Sequence, residues 1–344
     1  MFSTELLTQT PYGFYCPVGD FYIDGQGPIE RTIVTHGHSD HAYFGPKTYF
    51  ATPITAAVMR HRLGEQVSIT ELSYGQNILF NGVTVSLHPA GHIPGSAQVR
   101  IEYQKEVVVV AGDFKRSIDG ISTPFEVIPC HTFVTESTFA LPIYHWPDQL
   151  QIADQLNSWW QSNQQKNKAT VIFAYSLGKA QRVLHLLHSE YGPIFCHGAV
   201  FAMNQVLSQA GLQLPDAQKV VGPGKNELYH KACILAPPSA YGTPWLKKFE
   251  PYSSGVVSGW MTVRGRRRSK TLDRGFPLSD HADWPSLLQT IQETGAQQVI
   301  VKHGYTDVLA RYLTEMGISA VSLGHSHTGE LEDEQLGGGS DDII

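Results

Sequence analysis

The chain has 344 residues, 42% of them apolar and 16% charged, which is enough to bury a sizeable core unaided and too little charge for a disordered chain. A net charge of −6 excludes a broad basic surface that coats nucleic acid, though not a local basic groove. No stretch approaches the roughly 18 apolar residues that span a bilayer, the start carries no basic region followed by an apolar run, and Cys16, Cys130, Cys196 and Cys233 form no CxxC pair, so the expectation is a chain without disulfides in the cytoplasm.

Short β-branched and aromatic runs bounded by Gly or Pro predict strands over 13–18, 21–24 and 32–35. A periodic segment over 53–63 predicts a helix, and strands are expected over 82–88, 98–103 and 106–111, with Val107 to Val110 buried on both faces. The character changes near residue 145. A helix opening at Pro147 and Asp148 and running through Trp160, a strand over 171–175 and helices over 177–189 and 200–210 read as a small separate layer. From about 255 the first character returns, with a strand over 256–263, a helix over 284–293, a strand over 298–301 and a helix over 307–316. The expected domains are therefore 1–145, an insertion over 146–254, and a completing part over 255–328, with an acidic, Gly-rich tail over 329–344 expected to be disordered.

The densest chemistry lies in Thr35-His36-Gly37-His38-Ser39-Asp40-His41, directly after an apolar strand, where four ligand-type side chains fall within six residues. Imidazole and carboxylate suit Zn²⁺ or Mn²⁺, and a tight loop at a strand end can aim two donors at one ion and two at a neighbour. Two ions roughly 3.5–4 Å apart can hold a scissile phosphate, acidify a water and stabilise a leaving oxygen.

This loop resembles the second motif of the metallo-β-lactamase superfamily. That resemblance implies an αββα sandwich, and it identifies His92 in Gly91-His92-Ile93-Pro94-Gly95 as the third-motif ligand and Asp113 in Gly112-Asp113-Phe114 as a bridging carboxylate. Asp20 and Asp24 both stand at suitable distances for the first motif, whose acid braces the His loop without binding metal; Asp24 is favoured.

Three later segments resemble motifs A, B and C of the β-CASP nucleases: Thr135-Glu136-Ser137-Thr138, Leu278-Ser279-Asp280-His281 and Val301-Lys302-His303-Gly304. They imply an inserted β-CASP α/β domain and two divalent ions, one held by His36, His38, His92 and Asp113 and the other by Asp40, His41, Asp113 and His303. His281 would donate a proton to the leaving oxygen, with Glu136 orienting its ring. The superfamily hydrolyses many substrates. Chain size and the segments around Asp24 and His303 look most like bacterial ligase-associated DNA exonucleases, which implies DNA as substrate and a DNA ligase and helicase as partners; a His in motif C also resembles the RNA-processing branch, so RNA stays as the alternative.

Two further segments are candidate substrate contacts. Ser176-Leu177-Gly178-Lys179 joins a strand end to a helix start, where backbone amides and the Lys179 charge can hold a phosphate or simply form a turn. The basic run from Arg264 and Arg266 to Lys270 suits a groove that tracks a nucleic-acid backbone, or else a solvated face, and Trp260 beside it can stack a base or pack.

Overall fold

The computed structural model describes residues 6–222, 227–263 and 272–324, and these divide into two compact units. The first contains the described residues within Met1–Ile118, Ser122–Tyr144 and His281–Gly329, and the second those within Asp119–Ile121 and His145–Asp280.

Two sheets form the first unit. One runs in chain order through β1 (Thr8–Thr10), β2 (Gly13–Cys16), β3 (Phe21–Ile23), β4 (Arg31–Ile33), β5 (Thr48–Ala51) and β6 (Ile69–Glu71). The other holds β7 (Asn77–Phe80), β8 (Val83–Pro89), β9 (Ala97–Tyr103), β10 (Glu106–Val110) and β11 (Thr132–Ser137) as neighbours in that order. The late strands Gln298–Gly304 and Ser319–Ser322 then add to it in parallel beyond β11. The alternation of side chains along β10 shows how the layers stack. Val108 and Val110 face a core shared with Phe21, Ile23, Ile33 and Phe50 of the first sheet. Val107 and Val109 face the other way, with Phe133 and Val299, onto Leu287 and Ile291 of helix Trp284–Thr294 and Leu309 and Leu313 of helix Thr306–Glu315. Tyr49 and Ala51 on the outer face of the first sheet meet Met59 of α1 (Pro53–Leu63). The order is helix, sheet, sheet, helix, and each buried valine contributes about 1.5–3 kcal/mol.

Helix boundaries follow local chemistry. Thr52 caps α1 by accepting the Thr55 amide at 3.3 Å, Pro53 opens it, and Gly64 ends it. Asp283 caps the helix that starts at Trp284, accepting the Ser286 amide at 3.1 Å, and Gly295 closes it in the left-handed conformation.

The second unit is a parallel sheet in the order Gln218–Lys219, Ile194–Cys196, Cys233–Ala236, Ala169–Phe173, Tyr252–Val257 and Arg274–Phe276. Helices Gln149–Gln165, Lys179–Leu186 and Gly198–Gln209 supply much of its core. The sequence places a return to the first domain at 255, but the chain here differs. Val256 pairs with Phe173, Arg274–Phe276 extends the same sheet, and this unit runs on to Asp280. The expected strand over 256–263 stops at Val257 because Gly259–Thr262 turns as a 3-10 helix that buries Trp260. The tail over 329–344 lies outside the described residues.

Phe133 is fully buried where β11 meets the helices. Phe133→Ala is expected to lower stability by about 3–5 kcal/mol through the cavity it leaves, read as a lower urea midpoint.

Candidate metal centre

The site begins with a carboxylate that accepts three hydrogen bonds from the His loop and its base. Asp24 follows β3, which pairs in parallel with β4, so its carboxylate lies beside the chain leaving β4. Its Oδ1 accepts the Thr35 amide at 2.8 Å, and its Oδ2 accepts the Thr35 hydroxyl at 2.8 Å and the His41 Nδ1 hydrogen at 2.7 Å. The loop from His36 to His41 is thus fastened at both ends. Because Asp24 takes the Nδ1 hydrogen, His41 turns Nε2 inward, 3.4 Å from Asp113 and 3.7 Å from Asp40. That Nε2 is buried and has no hydrogen-bond partner. Asp20 does not share this role. It lies exposed, where Tyr15 donates to it at 2.9 Å and Arg31 stands 3.6 Å away.

His92 arrives on a second loop, after β8. Gly91 there has φ +72°, and a Cβ would sit 2.2 Å from the Lys115 carbonyl oxygen, so only glycine permits the approach. The Ser96 hydroxyl accepts the amides of His92 at 3.1 Å and Ile93 at 3.3 Å. Asp113 leaves the end of β10, with Oδ2 3.5 Å from His36 Nε2 and 3.9 Å from His92 Nε2. His38 Nδ1 lies 3.1 Å from His36 Nε2 and 3.2 Å from His92 Nε2. The donor atoms of His36, His38, His92 and Asp113 all fall within 4.8 Å of one another, as do those of His36, Asp40 and His41.

His303 belongs to neither group but stacks on His41, with ring centroids 5.5 Å apart. It sits at φ +55°, an uncommon conformation for a side-chain-bearing residue. Ser137 of β11 holds it there: its hydroxyl donates to the His303 carbonyl and its own carbonyl accepts the Tyr305 amide at 2.9 Å.

Beside His92, with rings 4.6 Å apart, lies His281. Its Nδ1 is 2.8 Å from Glu136 Oε2, and Glu136 Oε1 accepts the Phe114 amide at 2.9 Å. Both residues are buried.

The electrostatics fit a cation. Burial, then the proximity of His41 and His92, holds the His36 pKa well below its ordinary value. Burial works the same way on His303, helped by Lys302. Burial opposes charge on Asp113, but His41 outweighs it and keeps the carboxyl well below the usual range. Burial also opposes charge on His41, and Asp113, Asp40 and Asp24 together reverse that effect and raise its pKa. Converging imidazole nitrogens and a carboxylate oxygen in a largely buried cluster are costly unless a cation lies among them. The unsatisfied Nε2 of His41 is where such an ion would be met.

The substrate contacts expected in the second unit are engaged internally. The Gly178 amide donates to Gln181 Oε1 at 2.7 Å, and the Ser176 carbonyl accepts from Gln181 Nε2 at 2.8 Å. Lys179 is fully buried, 3.9 Å from Asp280 and 4.5 Å over the Tyr175 ring. The Lys179 charge is therefore not displayed for a phosphate, in contrast to the expectation from its place at a helix start. Trp260 is likewise buried and packs. Arg264 and Arg266 lie outside the described residues. Sequence reasoning passed over the braces Thr35, Ser96 and Ser137, whose one signal is their position directly beside a ligand or motif residue.

Asp24→Asn removes the charge and leaves one acceptor oxygen for Thr35 and His41 to share; it is expected to weaken divalent-ion affinity about 10–100-fold, measured by competition with a chromophoric chelator while circular dichroism stays unchanged.

No family model matches the sequence. A protein named "Probable DNA ligase" from Opitutus terrae is 30% identical over 326 residues, covering 93% of this chain and 31% of that protein. Cleavage and polyadenylation specificity factor subunit 3 of Dictyostelium discoideum, a metallo-β-lactamase family member, is 27% identical over 199 residues, covering 47% of this chain and 25% of that one. The chain thus spans a quarter to a third of the length of these relatives. A crystal structure of a protein of unknown function from Enterococcus faecalis V583 shares the fold, with a TM-score of 0.53 and 11% identity over 79% of this chain and 74% of that one. With the His loop and the four-layer unit already described, these likenesses support the metallo-β-lactamase superfamily as the family of this chain.

Proposed function

We propose that this chain hydrolyses phosphodiester bonds in DNA with two divalent metal ions, acting at strand ends as an exonuclease. His36, His38, His92 and Asp113 would hold one ion, and Asp40, His41, Asp113 and His303 the other. Nitrogen and oxygen donors suit Zn²⁺ best, with Mn²⁺ next. Such ions supply positive charge against a phosphate in its transition state and make a water more acidic.

The observation that carries the reading is the buried pair of His281 and Glu136, 2.8 Å apart and directly beside the donor cluster. Glu136 accepts the hydrogen on Nδ1, so proton handling falls to Nε2. An imidazole held in that tautomer, and stabilised as imidazolium by a buried carboxylate, is suited to protonate a leaving oxygen. Burial raises the Glu136 pKa while His281 pulls it down.

DNA is favoured by the likeness over 93% of the chain to part of a protein named as a DNA ligase. That likeness also supports a ligase as partner, in repair or end processing. The parallel sheet of the second unit, between Tyr144 and His281, is suited to be the β-CASP insertion. RNA is the second reading, favoured by the relative named for cleavage and polyadenylation and by a histidine at 303. Four buried thiols agree with a cytoplasmic setting, and no helix among the described residues is long and apolar enough to cross a membrane.

Labelled DNA and RNA oligonucleotides, each with one end blocked, test the reading. Asp40→Ala or His41→Ala is expected to abolish cleavage with the fold intact. His281→Ala is expected to lower kcat by about 10²–10⁴ with bound metal unchanged. Full rate in His281→Ala on an unactivated diester would remove the proton donor from the scheme, and cleavage of RNA alone would replace DNA as substrate.

A further inference from the structure

A cavity of about 190 Å³ opens within the first unit beside the metal centre, lined by Tyr12, Phe14, Asp40, Tyr43, Lys302 and His303 among others. Asp40 and His303 both belong to the donor set proposed for the second ion, so whatever occupies the cavity touches that side of the centre. The other walls are unlike a metal site. They carry aromatic rings, one cation and the Asp24 carboxylate, whose oxygens already accept from Thr35 and His41. Tyr12 is 46% exposed, and Phe44, next in sequence to Tyr43, is 73% exposed. Exposed aromatics grouped beside a polar site are suited to bind a flat partner. Lys302 extends its ammonium over the Phe14 ring, 5.5 Å from the centroid. It makes no ion pair among the described residues, so its charge is available to an anion.

Size narrows the occupant. The volume is below the 300–1,000 Å³ typical of drug-sized ligands, which leaves room for a single ring system with a small substituent. A phosphate alone would leave the aromatic walls unused, and a continuous duplex would need an open groove with cations along it. One planar base with a phosphate attached uses both features, the rings by stacking and the ammonium by charge.

We infer that this cavity is the subsite for one terminal nucleotide, its base against Tyr12 and Tyr43 and its phosphate between Lys302 and the Asp40–His303 edge of the metal centre. The inference rests on the hydrolase reading above and deepens it, since a subsite with room for one nucleotide selects strand ends over internal positions.

Two measurements test it. The first is equilibrium titration of the intact protein with dAMP, deoxyribose 5-phosphate and inorganic phosphate. The wild type is expected to bind dAMP about tenfold more tightly than deoxyribose 5-phosphate. Tyr12→Ala is expected to erase that difference, and Lys302→Gln to weaken dAMP and deoxyribose 5-phosphate alike, with bound metal unchanged. The second compares kcat/KM on an oligonucleotide ending in a normal nucleotide with the same strand ending in an abasic one. The wild type should prefer the base-bearing end about tenfold, and Tyr12→Ala should lose the preference. Equal binding of dAMP and deoxyribose 5-phosphate by the wild type, or dAMP affinity unmoved in both variants, overturns the subsite. Failure of the metal-loaded wild type to cleave any oligonucleotide counts against the hydrolase reading, and in that event base-dependent dAMP binding lost in Tyr12→Ala still supports the cavity.

Discussion

Three imidazole nitrogens and a carboxylate oxygen are held within 4.8 Å of one another, with His36, His92 and Asp113 all buried, and the rest of the first unit is arranged to sustain that crowding. Lone pairs that face each other away from water gain nothing until a cation arrives. Neighbouring side chains fix His41, His92 and His303 in place. Asp24 holds both ends of the His loop, Ser96 caps the turn that carries His92, and Ser137 pins His303 in a backbone conformation it would otherwise avoid. The ordering cost is met by hydrogen bonds and by the valine-rich core beneath, so the donors wait in place.

The architecture that allows this is the close approach of strand ends. β4, β8, β10, β11 and the strand Gln298–Gly304 each deliver a loop or terminal residue to one rim of the unit: the His loop, His92, Asp113, Glu136 and His303. Strand interiors supply rigidity and their ends supply chemistry. Five short segments far apart in sequence thus share one small volume, and two of them, around Gly91 and Gly304, come so near neighbouring backbone that a side chain would collide.

Much of this was legible beforehand because polar ligands at strand ends interrupt an apolar pattern. The helix over 53–63 matched to the residue, since Thr52, Pro53 and Gly64 mark its limits chemically. β11 was missed as a strand because Thr-Phe-Val-Thr-Glu-Ser lacks alternation; it is buried on both faces and satisfies its polar side chains with partners distant in sequence. Asp20 and Asp24 both stand at suitable spacing before the His loop, and the favoured Asp24 is the one whose carboxylate reaches Thr35. Lys179 looked like a phosphate contact from its position at a helix start, but burial against Asp280 and Tyr175, a tertiary fact, commits its charge elsewhere. The strand expected over 256–263 with the first domain is Tyr252–Val257 in the sheet of the second unit, because a short apolar run does not name the sheet it joins.

The pairing of His281 with Glu136 spans 145 residues, and it has a consequence for how the protein is made. A chain emerging from the ribosome at about 5–20 residues per second shows its His loop, His92, Asp113 and Glu136 long before His281 and His303 exist. During that interval β11 is the exposed margin of its sheet, awaiting the parallel strand Gln298–Gly304. The set of groups is therefore completed last, by the closing segment of the first unit, and a nascent or prematurely ended chain carries only part of it.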